Sequence, residues 1–170
     1  MKVLYALIFC AALFMGTAAV LHSQTASPEG VSSAEEGSDQ ERVNDDVRFE
    51  NAMQLYKIKN QKGKALSLFG EYLELFPEGI HRKEVIRSIG DIYLERFDYK
   101  HAIKYYQQLY EEYGSEEEGI SGLFQTGICY SRMGNTEKSA EVFKRIIELY
   151  PSSSYSAKAR TQLDIEEMIK

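Results

Sequence analysis

Apolar side chains return at helical spacing through most of this chain. Val85, Ile86, Ile89, Ile92 and Tyr93 keep the i, i+3, i+4, i+7 intervals of one helix face. After a short polar break, Ala102, Ile103, Tyr106, Leu109 and Tyr110 form a second stripe, which Gly114 stops. The layout then recurs every 37 residues: Tyr56, Tyr93 and Tyr130; Ala65, Ala102 and Ser139; Phe69, Tyr106 and Phe143; Phe76, Tyr113 and Tyr150; Pro77, Gly114 and Pro151. A period of that length predicts a solenoid of helical hairpins, each burying its apolar face only by stacking on its neighbours. The prolines end the second helices because their ring nitrogen has no N–H to donate. Polar breakers at Asn60–Gly63, Arg96–Asp98 and Gly134–Asn135 mark the turns within hairpins. A last segment, Tyr155–Lys170, is preceded by Ser152–Ser154 and carries Ala159, Leu163, Ile165 and Met168 as its apolar residues, which predicts a capping helix.

The N-terminal part follows different rules. Lys2 precedes an apolar run from Val3 to Met15 and then Gly16, Thr17, Ala18 and Ala19, the layout of a secretory signal over residues 1–19. Small residues at Thr17 and Ala19 favour cleavage after Ala19. The alternative is an uncleaved anchor, since Val3–Leu21 carries no charge over a length that spans a bilayer. Lipid attachment at Cys10 is disfavoured by Phe9, because a lipoprotein signal wants a small residue there. Residues 20–46 are rich in Ser, Glu and Asp with few apolar positions, which predicts a disordered linker. The folded domain is then 47–170, with repeats at about 46–79, 83–116 and 120–153 and the cap at about 154–170.

The signature of a known family lies in these repeats. Ile86, Ile89, Gly90, Tyr93, Ala102 and Tyr106 hold its anchor, small and aromatic positions, with Gly114 where a proline is usual. Leu123, Thr126, Gly127, Tyr130, Ser139, Phe143 and Pro151 do so again, and Phe49, Ala52, Tyr56, Ala65, Phe69 and Pro77 once more, except that Met53 replaces the expected small residue. The chain resembles the tetratricopeptide-repeat superfamily over residues 47–170. That resemblance implies an all-α, right-handed solenoid of three helix-turn-helix repeats plus a C-terminal capping helix, and a role in binding proteins. The 37-residue period and the Tyr150–Ala159 link resemble the variety found in bacterial proteins of outer-membrane assembly and the Tol-Pal system. Gly90 and Gly127 are read as points of close helix approach faced by Ala102 and Ser139. Met53 predicts either a displaced first helix or a one-residue offset in the turn from Lys59 to Gly63.

Charge and composition narrow the partners. The formal net charge of −6, or −7 once Lys2 leaves with the signal, disfavours nucleic acid and anionic lipid. Cleavage leaves Cys129 as the one thiol, so no disulfide supports the fold, and its place beside Gly127 and Tyr130 reads as a packed, inert site. His22, His81 and His101 have no ligand-type residue at i+4, and no serine occupies a nucleophile elbow, so neither metal, cofactor nor catalysis is expected. Glu116, Glu117 and Glu118 suit a helix N-terminus. Tyr106 and Tyr113, within the Tyr105–Tyr113 cluster, belong to the repeating core.

Binding is expected along the concave face lined by the first helix of each hairpin. By register this face holds Glu50, Gln54 and Lys57, then Arg87, Asp91 and Leu94, then Phe124, Ile128 and Ser131. The expected groove is charged at one end and apolar at the other, which suits an amphipathic protein segment. Glu50, Gln54 and Ser88 stand where chaperone-binding relatives carry a carboxylate clamp, which argues against capture of chaperone tails. The sequence thus predicts an exported, periplasmic adaptor that binds protein or peptide partners during envelope assembly, and touches a membrane only through its N-terminal segment. The alternative is a self-associating envelope protein anchored by that segment.

Overall fold

The computed structural model describes residues 32–114 and 116–169. The signal, its cleavage site and Cys10 lie outside them. Among the described residues seven α-helices follow one another: α1 (Ser32–Lys57), α2 (Lys62–Leu75), α3 (Arg82–Glu95), α4 (Tyr99–Tyr113), α5 (Glu117–Arg132), α6 (Thr136–Leu149) and α7 (Ser154–Met168). Helices α2, α4 and α6 begin 37 residues apart, as the sequence period requires. Each pairs with the helix before it to form a hairpin, and the hairpins stack in chain order. The fold is therefore all-α, a solenoid of three helix-turn-helix units closed by α7.

Caps and stops fall where local chemistry places them. Asp98 and Asn135 accept the backbone N–H groups of His101 and Lys138 and start α4 and α6. Ser153 caps α7 by accepting from Tyr155 N–H at 3.2 Å. Helices α2 and α6 end ahead of Pro77 and Pro151, and α4 ends at Gly114. In the first hairpin a single 3-10 turn, Lys59–Gln61, joins α1 to α2 with no offset in the start of α2.

Within hairpins, an aromatic ring on the second helix lies over a glycine on the first. A Cβ on Gly90 would sit 2.7 Å from Cε1 of Tyr106, and one on Gly127 would sit 2.6 Å from Cε1 of Phe143. The space beside each glycine is thus filled by the aromatic ring, while Ser139 also faces Gly127 as expected, its hydroxyl 3.1 Å from the Gly127 carbonyl. In the first hairpin Phe69 is fully buried with Ala52 and Ala65, and Met53 lies partly buried against that cluster.

Successive hairpins meet through a second pair of glycines, which the sequence reading passed over. A Cβ on Gly122 would come within 2.6 Å of the Tyr106 carbonyl, and one on Gly119 would land on the Tyr113 carbonyl. Spaced i, i+3, they share one face of α5 and bring it against the backbone of α4. Within the second hairpin, Arg82 on α3 makes a two-pronged tie to Glu112 on α4, with both hydrogen bonds at 2.8 Å.

The expected linker differs from the structure. Residues 32–46 are helical and form the N-terminal half of α1. The reason is anchorage. Asp45 is buried, its carboxylate accepts the Tyr72 hydroxyl at 2.5 Å and the Ile80 N–H at 3.0 Å, and Tyr72 in turn accepts the His81 N–H at 3.1 Å. Once Asp45 and Phe49 are docked, each further helical residue costs little compared with nucleation, so the helix runs outward through Gln40, Glu41 and Arg42. His81 is half-buried, stacked on Phe49 with ring centroids 3.9 Å apart and hydrogen-bonded to Asp46 at 2.7 Å.

Among the described residues no helix is long and apolar enough to cross a membrane. The cap also departs in part from expectation. Ala159 is buried and Leu163 packs on the third hairpin, but Ile165 and Met168 are exposed on the side of α7 that faces away from it.

Two measurements check this packing. Gly127→Ala, pressed into the Phe143 ring, should lower stability by about 1–3 kcal/mol, whereas Gly70→Ala, with open space around it, should raise it by about 0.5–1 kcal/mol. Thermal or urea unfolding reads both, and equal effects would contradict the arrangement. Asp45→Ala leaves the Tyr72 hydroxyl and Ile80 N–H without their acceptor and should cost about 1–3 kcal/mol in the same assay.

Candidate functional site

The first helices of the hairpins, α1, α3 and α5, flank a polar recess of about 260 Å³. Its α3 wall is Glu84, Arg87, Ser88 and Asp91, one stripe of that helix. Met53 and Tyr56 close it from α1, and Ser121, Gly122 and Gln125 from α5. Gly122 contributes by having no side chain, so the floor reaches down to Leu109 and Tyr106 on α4. The residues that hold the hairpins together therefore also shape the recess.

Asp91 is its electrostatic centre. Burial raises its carboxyl above the ordinary range, and the Tyr106 hydroxyl, donating at 2.6 Å, pulls it partly back. Burial and the Asp91 carboxylate push the Tyr56 phenol up to about 12, and the same two causes raise Tyr106 as well. Arg87 stands at the rim with its guanidinium mostly uncommitted, one weak contact of 3.4 Å to Glu84 aside. The recess thus offers a cation at its mouth, buried acceptors below, and the hydroxyl and amide groups of Ser121 and Gln125 opposite. That inventory suits the alternating donors and acceptors of an extended or helical peptide. His81 and His101 lie elsewhere, engaged by Asp46 and Asp98, and burial pushes the Cys129 thiol up to about 12. Among the described residues no group of three His, Cys, Asp or Glu could hold a metal ion.

The structure brings together some of the sequence-expected residues. Arg87 and Asp91 line the recess. Glu50, Gln54 and Lys57 are exposed on α1, one step around that helix from Met53 and Tyr56. Ser131 is half-buried, and Leu94 is drawn into the cluster around Ala102, Ile103, Tyr106 and Cys129. Phe124 and Ile128 are placed differently from an open apolar groove end. Phe124 packs on Phe143 and Tyr155 with centroids 5.5 and 5.4 Å apart, and both residues join the cluster around Ala159 and Leu163. Helix α7 takes the place of a next hairpin's first helix and covers them. Glu84, Ser121 and Gln125 were missed and Ser88 was read only as departing from a carboxylate clamp, although adding 37 to Glu84 and Ser88 leads straight to Ser121 and Gln125.

Comparison with known proteins agrees with this geometry. Tetratricopeptide-repeat family models match residues 88–114 and residues 121–153. The chain carries tetratricopeptide repeats. It is also 30% identical over 95 residues to a TPR repeat-containing protein of Methanocaldococcus jannaschii, an alignment that covers 56% of this chain and 16% of that relative. The chain thus spans only about a sixth of that relative's length. The matched segments begin at Ser88 and Ser121, inside α3 and α5, so two of the tetratricopeptide first helices are the ones that form the recess.

The coupling between Tyr106 and Asp91 gives a direct check. Tyr106→Phe removes the hydrogen bond that lowers the Asp91 carboxyl, so its titration, followed by carboxyl-carbon NMR, should move further upward. Because the folded value is raised, Asp91 favours folding most at low pH. That contribution fades as pH rises from the unfolded value through the folded one. The variant should deepen this loss, and an unmoved Asp91 titration would refute the coupling.

Proposed function

We propose that this chain is an exported scaffold whose tetratricopeptide repeats hold a protein partner along the concave face, in service of assembling a cell-envelope complex. The observation that carries the binding reading is the recess centred on Arg87 and Asp91. A charged, hydrogen-bonding cavity of that size, walled by three first helices and lacking a nucleophile–base pair, is built for recognition rather than for chemistry. Export is supported by the order of charge, apolar run and small residues over Met1–Ala19. The envelope setting is supported by that segment together with the 37-residue repeat length. With the far end of the face closed by α7, the binding length runs from Glu50 on α1 to Gln125 on α5, and the preferred partner segment is polar with an acidic group for Arg87.

A photo-reactive residue placed at Gln125 should cross-link an exported protein in intact cells, and the same probe at the exposed Gln107 of α4 should not. Arg87→Glu should weaken binding of the cross-linked partner about 10-fold or more, roughly 1.4 kcal/mol, with helicity and unfolding temperature unchanged. Equal affinity in that variant would remove the recess from the reading, and a partner confined to the cytosol would remove the envelope setting.

A further inference from the structure

Alternating helix direction puts the hairpin turns on one edge of the solenoid and the links between hairpins on the opposite edge. The two edges carry opposite charge. On the turn edge Lys57, Lys59, Lys64, Arg96, Lys100 and Arg132 are exposed and form no ion pair among the described residues. Its acids Glu95 and Asp98 are already paired with Lys62 and His101, and Glu137 and, at the end of α7, Asp164 and Glu167 run against the trend. On the link edge, stretches 74–81, 111–118 and 148–155 contain no Lys or Arg, although Arg42 of α1 lines a recess there with Glu41, Glu78 and Ile80. Glu74, Glu78, Glu111 and Glu148 are exposed there without ion-pair partners among the described residues, while Glu112, Glu116 and Glu118 are met by Arg82 and Lys83.

Helix stability accounts for only part of this segregation: Glu84, Glu117 and Glu118 suit the first turns of α3 and α5, and Lys57 and Arg132 the last turns of α1 and α5. Helices α2 and α4 have no acid in the first turn and no base in the last, the reverse of what the helix dipole favours. Apolar side chains are set among the charges on both sides. Ile58, Phe97 and Met133 are 49%, 73% and 43% exposed on the turn edge, and Leu75, Ile80 and Leu149 are 54%, 62% and 55% exposed on the link edge. Phe97 is the most telling. Its backbone is held at φ 60°, a left-handed conformation that a side chain disfavours, while Gly134, its equivalent one repeat later, takes φ 75° without that cost. An aromatic ring is kept in solvent where the backbone asks for glycine.

Both edges belong to one solenoid and share its rise per repeat, so the basic edge of one copy matches the acidic edge of another repeat for repeat. We propose that the protein binds a second copy of itself edge to edge, with Phe97 and its basic neighbours seated among Leu75, Ile80 and Leu149 and their glutamates. The contact joins two different surfaces and leaves one edge of each kind free, so it builds open chains rather than a closed dimer. It leaves the concave recess uncovered and stands apart from the partner reading above.

Sedimentation of the full-length protein tests the proposal. At about 0.1 M salt the weight-average mass should climb past the dimer with concentration, and at about 1 M, where screening acts within about 3 Å, it should fall to the monomer. Phe97→Gly relieves the backbone and should keep the fold while abolishing association. The charge reversals Lys59→Glu with Arg96→Glu, and separately Glu74→Lys with Glu78→Lys, should each give monomers. An equimolar mixture of the two reversed proteins should associate again, which a merely destabilised fold would not do. A monomer at every concentration, association untouched by Phe97→Gly, or a mixture that stays monomeric would each overturn the proposal. So would vesicles of phosphatidylserine that bind the wild type, but not Phe97→Gly, while the protein itself stays monomeric.

Discussion

An aromatic ring lying on a glycine is the contact on which the rest of this molecule depends. Tyr106 over Gly90 and Phe143 over Gly127 set how closely the helices of a hairpin approach, and close approach decides whether one hairpin offers the next a surface it can stack on. The same contact reaches the concave recess. Tyr106 passes beneath α3, and its hydroxyl emerges to hold Asp91 at the floor of the recess. Phe143 fills the equivalent place in the third repeat without a hydroxyl, and Ile128 stands there instead of an acid. The polar floor is therefore particular to the second repeat, although the packing beneath it is common to both.

The ends of the array are handled by opposite means. At the N-terminal end the exposed side of α1 is tied down by polar groups: Asp45 on Tyr72 and the Ile80 N–H, Asp46 on His81, and the Phe49–His81 stack. At the C-terminal end apolar contact prevails. Helix α7 lies where a further hairpin would begin and covers Phe124 and Ile128 with Tyr155 and Leu163. Its buried Glu166 reaches the Ser139 hydroxyl at 2.5 Å, and that hydroxyl also lies 3.1 Å from the Gly127 carbonyl, which locks the cap to the small-residue seam of the third hairpin. Covering that end shortens the open concave face to the part walled by α1, α3 and α5.

Net charge alone describes this chain poorly. An overall charge of −6 hides a basic edge and an acidic one, and the recess between them mixes both signs around Arg87 and Asp91. Screening confines each of these fields to about 8–10 Å at moderate salt. A partner at the turn edge therefore meets lysines and arginines rather than the average of the molecule. The two edges and the concave face thus differ from one another in charge.

Periodicity made the helices, their pairing, the 37-residue register and the buried aromatics legible before any coordinates, because those features follow from which side chains can share a face. It also placed Arg87 and Asp91 on the concave side. What lies between elements was not legible. That Asp45 belongs to the fold rather than to a linker depends on Tyr72 and Ile80, 27 and 35 residues away. That Phe124 and Ile128 are covered depends on where α7 docks, and that Gly119 and Gly122 matter depends on the backbone of another helix. A sequence pattern records how each helix divides its own surface. Only the tertiary structure decides which neighbour covers each face, because burial belongs to pairs of elements and not to any one of them.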